Sequence, residues 1–223
     1  MIASLYIAVA AIGYLLGSIP CGLVIGRLMG GRDVRRVGSG KTGMTNVMRA
    51  AGKKAAVLAL LLDMGKGALS VVLADIIMGG GHPAALMLAA LAAIGGHTWS
   101  VFLRFKGGRG VATFLGGLLA LYWPAAIIGG LIMIIVGAIF RYMSLGSITG
   151  AVAAFIMLLL VNVFRWHFFL PPPPIEYVLY AMICAIFIFV MHRDNILRLI
   201  SGTERRLGEK PKLRQNPQPD HQK

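Results

Sequence analysis

The fold depends on GVATFLGGLLALYWPAAIIGGLIMIIVGAIF, residues 110–140, an uncharged run that Trp123 and Pro124 interrupt at its centre. A helix that crosses the hydrocarbon core of a bilayer needs about 20 predominantly apolar residues. The length of this run therefore fits either one long, tilted helix or two short helices joined at Trp123 and Pro124. The choice matters because it decides on which side of a membrane every later segment lies.

The composition excludes most other classes of protein. Of the 223 residues, 57% are hydrophobic and 13% are charged, whereas soluble domains carry about 25% charged residues. The mean hydropathy is +0.78. A soluble globule, a disordered chain and a nucleic-acid-binding domain all need more polar residues than this, so a membrane-embedded protein is predicted. The net charge of +14 then needs an explanation of its own.

Five further apolar runs flank the central one, at about 2–25, 55–78, 84–103, 145–164 and 175–191. The first run has no Lys or Arg before Arg27, and a cleavable signal peptide would have a basic start. We therefore expect it to be retained as a membrane span.

The distribution of Lys and Arg decides between one central helix and two. With two helices, the segments 27–54, 104–109, 141–144 and 192–223 share one side and hold 20 of the 22 basic residues. With one helix, the basic tail would lie opposite the first loop. Because cytoplasmic loops are enriched in Lys and Arg, the pattern favours two helices.

We therefore predict an all-α integral membrane protein with seven transmembrane helices, its N-terminus outside and its C-terminus in the cytoplasm. The transmembrane domain covers 1–202, with cytoplasmic loops at 27–54 and 104–113. A basic, disordered tail covers 203–223, because that stretch is polar and rich in proline.

Two glycine-rich basic loops fall on the predicted cytoplasmic side. The first reads GSGKTG from Gly38 and continues into Thr45 and Asn46, which are suited to begin a helix; the second reads KGGRG from Lys106. Glycine lets backbone N–H groups approach an anion, and the helix start adds positive potential. A nucleotide-binding P-loop is excluded because Arg35 stands where that motif needs glycine. Each loop alone fits contact with anionic lipid headgroups equally well, but together they favour a shared anion site.

Several polar residues lie inside or beside the predicted spans. Asp63 and Lys66 are three residues apart on one helical face, where a structural ion pair is slightly favoured over catalysis. His97, between glycines in the third span, either reaches the same site or makes a packing contact. The remaining candidates are His192 and Asn195, which share a helical face after the last span, and Ser144 at the start of the sixth.

No cofactor or metal is expected. Cys21 and Cys184 lie in apolar runs outside any CxxC motif, and no HExxH motif is present. A Ser-His-Asp arrangement and an HxxxxD acyltransferase motif are also missing, so a covalent acyl-enzyme is not supported.

In this order, the motifs resemble those of the bacterial membrane family of acyl-phosphate:glycerol-3-phosphate acyltransferases over nearly the whole chain. The matching motifs are Gly17-Ser18-Ile19-Pro20, Gly38-Ser39-Gly40, Thr45-Asn46-x-x-Arg49, Asp63-x-x-Lys66-Gly67, Gly96-His97, Phe105-Lys106-Gly107-Gly108-Arg109-Gly110 and His192-x-x-Asn195. Two positions depart from the family pattern, since Lys41 stands where Asn is usual and Arg109 where Lys is usual.

The resemblance implies seven spans in the bacterial inner membrane and an active site that faces the cytoplasm. It also implies transfer of a fatty acyl group from acyl phosphate to the 1-hydroxyl of glycerol 3-phosphate, giving lysophosphatidic acid and phosphate, without acyl-CoA as donor. The expected partners are these two substrates, anionic membrane lipids and the enzyme that produces acyl phosphate, and no nucleic acid.

On this basis each candidate residue receives a role. Ser39, Gly40 and Lys41 are expected to hold the phosphate of acyl phosphate. The residues expected to hold and orient glycerol 3-phosphate are Arg49, Lys106, Arg109, His192 and Asn195; Arg49, Lys106, His192 and Asn195 are the catalytic candidates, and Thr45, Asn46, Gly107, Gly108 and Ser144 are further substrate-binding candidates. The departing phosphate can accept the hydroxyl proton, with His192 as the alternative base.

Two other classes of function remain as alternatives. A transporter for phosphate or lipid headgroups would favour ionisable residues near mid-membrane, whereas here they gather on one face. A scaffold that only binds anionic lipid would not need the His192 and Asn195 pair or the Asp63 and Lys66 pair.

Overall fold

The computed structural model describes residues 2–167 and 170–209, and within these ranges all regular secondary structure is helical. The helices are α1 Ile2–Ser18, α2 Cys21–Gly30, α3 Met44–Met78, α4 Pro83–Thr98, α5 Val111–Ile139, α6 Met143–Val163, α7 Ile175–Met191 and α8 Arg193–Ile200, with short 3₁₀ turns at Val34–Arg36 and Val101–Leu103. The prediction of an all-α fold is confirmed.

In the described part of the chain, five segments are long and apolar enough to cross a membrane. These are Ile2–Gly30, Met44–Met78, Pro83–Leu103, Val111–Ile139 and Met143–Val163. A sixth results if α7 and α8, which are bent by 59° at their junction, count as one broken span. By length and composition the count is thus five or six, because α5 enters it as a single segment.

Helix α5 is not straight. Tyr122 has non-helical backbone angles, φ −157° and ψ 87°, immediately before Trp123 and Pro124. Val111 and Met133 nevertheless line the same cavity, although 22 residues of straight α-helix would separate them by about 33 Å. The chain therefore turns back at Tyr122, where Trp123 and Pro124 interrupt the apolar run.

Close packing between helices depends on small residues. A side chain at Gly17 of α1 would collide with the backbone of Ala93 in α4. Likewise, a side chain at Gly150 of α6 would collide with the carbonyl of Gly129 in α5, 2.5 Å from the position of its Cβ. Small residues let helix backbones approach closely where lipid provides no hydrophobic force to drive association. These contacts fix the helices that surround the cavity.

Helix α3 is broken near its start. Gly52 adopts φ 85° and ψ 179°, a combination that only glycine tolerates readily. The segment 44–51 is therefore a short separate helix, which sets its own direction relative to the membrane-crossing part of α3. This break allows the N-terminus of α3 to face the cavity.

Residues 203–209, the start of the tail predicted to be disordered, make hydrogen bonds with other parts of the chain. The backbone N–H of Leu207 donates to the carbonyl of Arg141 at 2.7 Å, and the Arg141 guanidinium donates to the carbonyl of Leu207 at 2.9 Å. Glu204 is buried among three side-chain donors. These bonds hold the segment against the start of α6. The rest of the predicted tail, 210–223, lies outside the described residues.

Candidate active site

The predicted loops meet at one cavity of about 110 Å³. It lies between the start of α3, the end of α4, the starts of α5 and α6, and the junction of α7 and α8. Among its lining residues are nine of the sequence candidates: Ser39, Lys41, Thr45, Asn46, Arg49, Arg109, Ser144, His192 and Asn195. The structure thus brings together residues that are far apart in sequence.

Asn46 organises the first glycine-rich loop. Its side-chain amide donates to the carbonyls of Val34 at 2.7 Å and Lys41 at 2.8 Å, and its Oδ1 accepts from the Ser39 amide at 3.1 Å. A side-chain amide can donate two hydrogen bonds and has one carbonyl oxygen. Asn46 therefore shapes the loop, and its hydrogen bonds are made to protein.

The loop amides that were expected to bind an anion are also engaged. The Gly40 amide donates to the carbonyl of Val37 at 3.0 Å, and the Lys41 amide donates to Ser39 Oγ at 3.4 Å. The amides at the first turn of α3 are different, because a helix provides no acceptor for its first N–H groups. Met44 and Thr45 belong to this turn and line the cavity. The helix N-terminus is therefore the better anion-binding element of this loop.

Two arginines from different segments of the chain line the cavity. Arg49 lies on the short first part of α3 and is half-buried. Arg109 precedes α5, and its Nε donates to the carbonyl of Met191 at 3.1 Å. Burial lowers the pKa of the Arg109 guanidinium, and the nearby Arg198 contributes further. An anion in the cavity would offset both effects.

The rest of the second glycine-rich loop packs against the end of α4. Lys106 is exposed and is not a lining residue of the cavity. The Gly107 amide donates to the carbonyl of Thr98 at 3.0 Å, and the Gly108 amide donates to the carbonyl of His97 at 3.1 Å. The two amides thus satisfy carbonyls at the end of α4, which leaves Arg109 as the cation of this loop that lines the cavity.

His192 is poised as a hydrogen-bond acceptor. Its Nδ1 lies 2.8 Å from the carbonyl of Ile188, and because a carbonyl only accepts, Nδ1 carries the proton. Burial is the main reason that the pKa of His192 is lowered to about 4, and the neighbouring Arg109 adds to it. The imidazole is therefore neutral near pH 7, with an unprotonated Nε2.

Glu204 fixes the orientation of Asn195. The Asn195 amide donates to Glu204 Oε1 at 2.6 Å, Ser144 Oγ donates to the same oxygen at 2.9 Å, and Arg198 Nε donates to Oε2 at 2.7 Å. Asn195 Oδ1 is buried and has no hydrogen-bond partner among the described residues. Since Asn195 lines the cavity, this oxygen is suited to accept a hydrogen bond from a ligand hydroxyl.

Sequence reasoning missed Glu204, which was assigned to a disordered tail. The available signal was an acid directly after Gly202-Thr203, at the start of a segment in which Lys and Arg outnumber Asp and Glu. Sequence reasoning also left open the roles of Asp63 and His97, which both line the cavity. The predicted Asp63–Lys66 ion pair is present at 2.8 Å.

Part of the cavity lining is apolar. It includes residues from α3, α5 and α6, namely Leu60, Val111, Ala112, Met133 and Met143. Polar and apolar residues therefore line the same cavity, which suits a ligand with an anionic head and a hydrocarbon chain.

Comparison with known proteins identifies relatives along nearly the whole chain. The family model described as glycerol-3-phosphate acyltransferase matches residues 7–202. A protein from Dehalococcoides mccartyi named glycerol-3-phosphate acyltransferase 3 is 44% identical over 220 residues, covering 94% of this chain and 99% of its own. The glycerol-3-phosphate acyltransferase of Rhodopseudomonas palustris strain BisB5 is 46% identical over 206 residues, covering 92% and 98%.

Two solved structures share the fold. Both are crystal structures of PlsY, an integral membrane glycerol 3-phosphate acyltransferase. The glycerol 3-phosphate form has a TM-score of 0.80 and 38% identity, covering 91% of this chain and 96% of that one. The lysophosphatidic acid form has a TM-score of 0.79 and 36% identity, covering 91% and 95%.

Proposed function

The chain belongs to the glycerol-3-phosphate acyltransferase family, and we propose that it transfers a fatty acyl group from acyl phosphate to the 1-hydroxyl of glycerol 3-phosphate, giving lysophosphatidic acid and phosphate. The observation that carries this proposal is that one cavity is lined by Arg49, Arg109, His192 and Asn195 together with apolar residues. Two phosphorylated molecules, one of them with a hydrocarbon chain, match that combination of surfaces.

The two phosphates repel each other, so the site must offset negative charge while it aligns the reacting atoms. The first turn of α3, with Ser39 and Lys41, holds the phosphate of acyl phosphate. Arg49 and Arg109 hold the phosphate of glycerol 3-phosphate. The acyl chain lies against the apolar part of the cavity lining, which includes Leu60, Met133 and Met143.

The reaction forms one ester bond and breaks one acyl–phosphate bond. The 1-hydroxyl oxygen attacks the acyl carbon, and phosphate leaves with the electron pair of the broken bond. The hydroxyl donates a hydrogen bond to Asn195 Oδ1, and this bond directs the hydroxyl oxygen toward the acyl carbon. The departing phosphate accepts the hydroxyl proton; the unprotonated Nε2 of His192 is the alternative acceptor. The remaining candidates, Gly40, Gly107 and Gly108, support the loops, and Lys106 contributes positive charge from the exposed surface.

The same proposal includes a membrane topology. The chain crosses the inner membrane of a bacterial cell seven times, with its N-terminus outside, and with its C-terminus and active site in the cytoplasm. The reversal of α5 at Tyr122 supports this count, since it makes two crossings of one apolar run. The 20 basic residues that then share the cytoplasmic side support the orientation.

Anionic lipids are the proposed partners of the exposed turn before α5. Phe102 and Phe105 are 61% and 60% exposed, and they alternate with the exposed cations Arg104 and Lys106. Aromatic rings and cations suit the headgroup layer of a cytoplasmic leaflet. The enzyme that makes acyl phosphate remains a predicted partner.

Purified protein in detergent, supplied with palmitoyl phosphate and glycerol 3-phosphate, tests the reaction. We expect release of phosphate together with lysophosphatidic acid, and neither from boiled protein. A parallel reaction with palmitoyl-CoA tests the donor, and acyl transfer from palmitoyl-CoA alone would overturn the choice of acyl phosphate. No transfer from either donor would overturn the proposed reaction.

Labelling of introduced cysteines in intact cells tests the topology. Arg141→Cys and Arg206→Cys should be protected from an impermeant reagent, and Arg165→Cys should react. These side chains are exposed, whereas the native Cys21 and Cys184 are buried. Labelling of Arg141→Cys and Arg206→Cys from opposite sides would contradict seven crossings.

A further inference from the structure

We infer that Asp63 and His97 are positioning residues that hold the Gly107–Gly108 turn, and through it Arg109, in the geometry that binds glycerol 3-phosphate. The inference rests on the proposed function for the identity of the ligand. It assigns a role to a buried charged cluster that the proposed reaction does not use. The cluster links three membrane-crossing segments to one cation of the cavity.

The centre of this cluster is the Asp63 carboxylate, which is 1% exposed. Lys66 Nζ lies 2.8 Å from Asp63 Oδ1, and His97 Nδ1 lies 3.5 Å from the same oxygen. Lys66 Nζ also donates to the carbonyl of Ile19 at 3.0 Å, where the chain breaks between α1 and α2. An ionised group at this depth is costly unless it is paired, so Lys66 compensates the Asp63 carboxylate, which in turn faces Nδ1 of the His97 ring.

The His97 ring in turn lies against the second glycine-rich loop. A Cβ added to Gly108 would collide with His97 Nε2, and its distance to Cδ2 of the ring would be 3.0 Å. The carbonyls of His97 and Thr98 accept the amides of Gly108 and Gly107. The ring and the loop therefore fit together only because residue 108 has no side chain.

Arg109 follows this turn directly, so the turn sets the position of the backbone from which its guanidinium extends. The other anchor of Arg109 is the bond from its Nε to the carbonyl of Met191, at 3.1 Å. Nδ1 of His97 lies beside Asp63, and Nε2 lies where a side chain at residue 108 would stand. His97 thus acts on the ligand through the turn.

A double-mutant cycle between His97 and Gly108 tests this arrangement. Gly108→Ala should raise the KM for glycerol 3-phosphate about tenfold or more, because a misplacement of about 1 Å in a binding group has large effects. His97→Ala should also raise this KM, since the turn loses its support. The double variant should be no worse than the poorer single variant, because the colliding ring is gone. The kcat and the KM for palmitoyl phosphate should change by less than about threefold in each.

Matched controls separate positioning from general damage. Gly95→Ala lies in the same helix as His97, where an added Cβ meets no atom within 4 Å. Asp75→Asn lies in the same helix as Asp63 but on an exposed position. Both should retain wild-type kinetics, while Asp63→Asn should resemble His97→Ala. If His97→Ala does not fold, His97→Gln takes its place in the cycle.

Failure of the inference is distinguishable from failure of the proposed function. If the wild-type protein transfers no acyl group, the reaction is wrong, but the rise in Tm that glycerol 3-phosphate causes still measures the site. The inference is overturned if the KM increases of the single variants multiply in the double variant. It is also overturned if Asp63→Asn behaves as Asp75→Asn does, or if kcat falls while the KM for glycerol 3-phosphate is unchanged.

Discussion

Replacement of Glu204 by glutamine tests how the segment after α8 contributes to the site. Glutamine has nearly the same shape as glutamate, but it lacks the charge that pairs with Arg198. It also carries an NH₂ group in place of one carboxylate oxygen. All three partners of Glu204 are donors, namely Ser144, Asn195 and Arg198. Whichever way the glutamine amide is oriented, its NH₂ group faces a donor.

The magnitude follows from burial. Hydrogen bonds to charged groups contribute about 1.5–3 kcal/mol each, and removal of one partner from a buried pair costs about 3–5 kcal/mol. The Arg198 side chain is 28% exposed, so water compensates in part for its lost partner. We therefore expect a loss of about 2–3 kcal/mol in the free energy of unfolding. For a chain of this size that corresponds to a decrease in Tm of about 5–10 °C.

Activity should fall by a separate route. In the wild-type protein Glu204 fixes the Asn195 amide so that Oδ1 faces the cavity. Without that acceptor, the amide loses its preferred orientation and aims the substrate hydroxyl less well. We expect kcat/KM for acyl transfer to decrease about tenfold or more, a change of about 1.4 kcal/mol in the activation free energy.

The assay combines thermal unfolding in detergent with steady-state kinetics on the same preparation. Glu209→Gln is the matched control, because Glu209 belongs to the same segment but is exposed. It should keep the Tm and rate of the wild-type protein. If Glu204→Gln behaves as Glu209→Gln does, the carboxylate does not hold the site, and the reasoning above is wrong.

Three further predictions concern the loop cations, His192 and helix packing. Arg109→Ala should raise the KM for glycerol 3-phosphate about tenfold or more, whereas Lys106→Ala should have a smaller effect because Lys106 is exposed; equal effects in initial-rate kinetics would contradict the placement of these cations. Since the folded-state pKa of His192 is about 4 and its unfolded value is 6.5, the unfolded chain alone takes up this proton as the pH falls between those values. The Tm should therefore decrease with pH across that window more steeply in the wild-type protein than in His192→Gln, and parallel curves would refute the shift. Gly150→Ala should lower the Tm measurably because its Cβ would meet the Gly129 carbonyl, whereas Gly130→Ala, with open space, should not; equal melting temperatures would show that this interface is not tightly packed.

The lengths of the apolar runs and the distribution of basic residues were enough to predict the helical class and the place where the central run turns. The turn at Tyr122 was predictable because Trp123 and Pro124 interrupt an otherwise uniform apolar run. The number of crossings is harder to establish from length alone, since α5 is long enough to be one tilted helix. The structure adds that Val111 and Met133, on either side of the turn, line the same cavity.

The residue types at the site were predictable, but the atoms that face the cavity were not. Asn46 and Gly40 are predicted to bind substrate, but the sequence does not show that their amides donate to the carbonyls of Val34, Lys41 and Val37. A sequence indicates that a loop can bind an anion, but it does not show which backbone amides already donate hydrogen bonds to other groups of the protein. Glu204 was missed because its segment is polar in sequence. In the fold its carboxylate accepts hydrogen bonds from buried donors, and these bonds hold the segment in place.

The charged residues that line the cavity connect the energetics of the folded protein to substrate binding. Arg49, Arg109 and Arg205 line it, while the carboxylates of Asp63 and Glu204 are already engaged with other partners. The lowered pKa of Arg109 shows that, without a ligand, its charge is disfavoured by burial and by neighbouring Arg198. A bound substrate phosphate would stabilise the charge of Arg109, because it brings negative charge into a partly desolvated site. Part of the binding free energy of each substrate therefore comes from offsetting the repulsion between these arginines. Once one anion is bound, less of this repulsion remains for a second anion to offset. In the proposed reaction, this competition limits how tightly the two substrate anions can be held together, and it favours release of phosphate after acyl transfer.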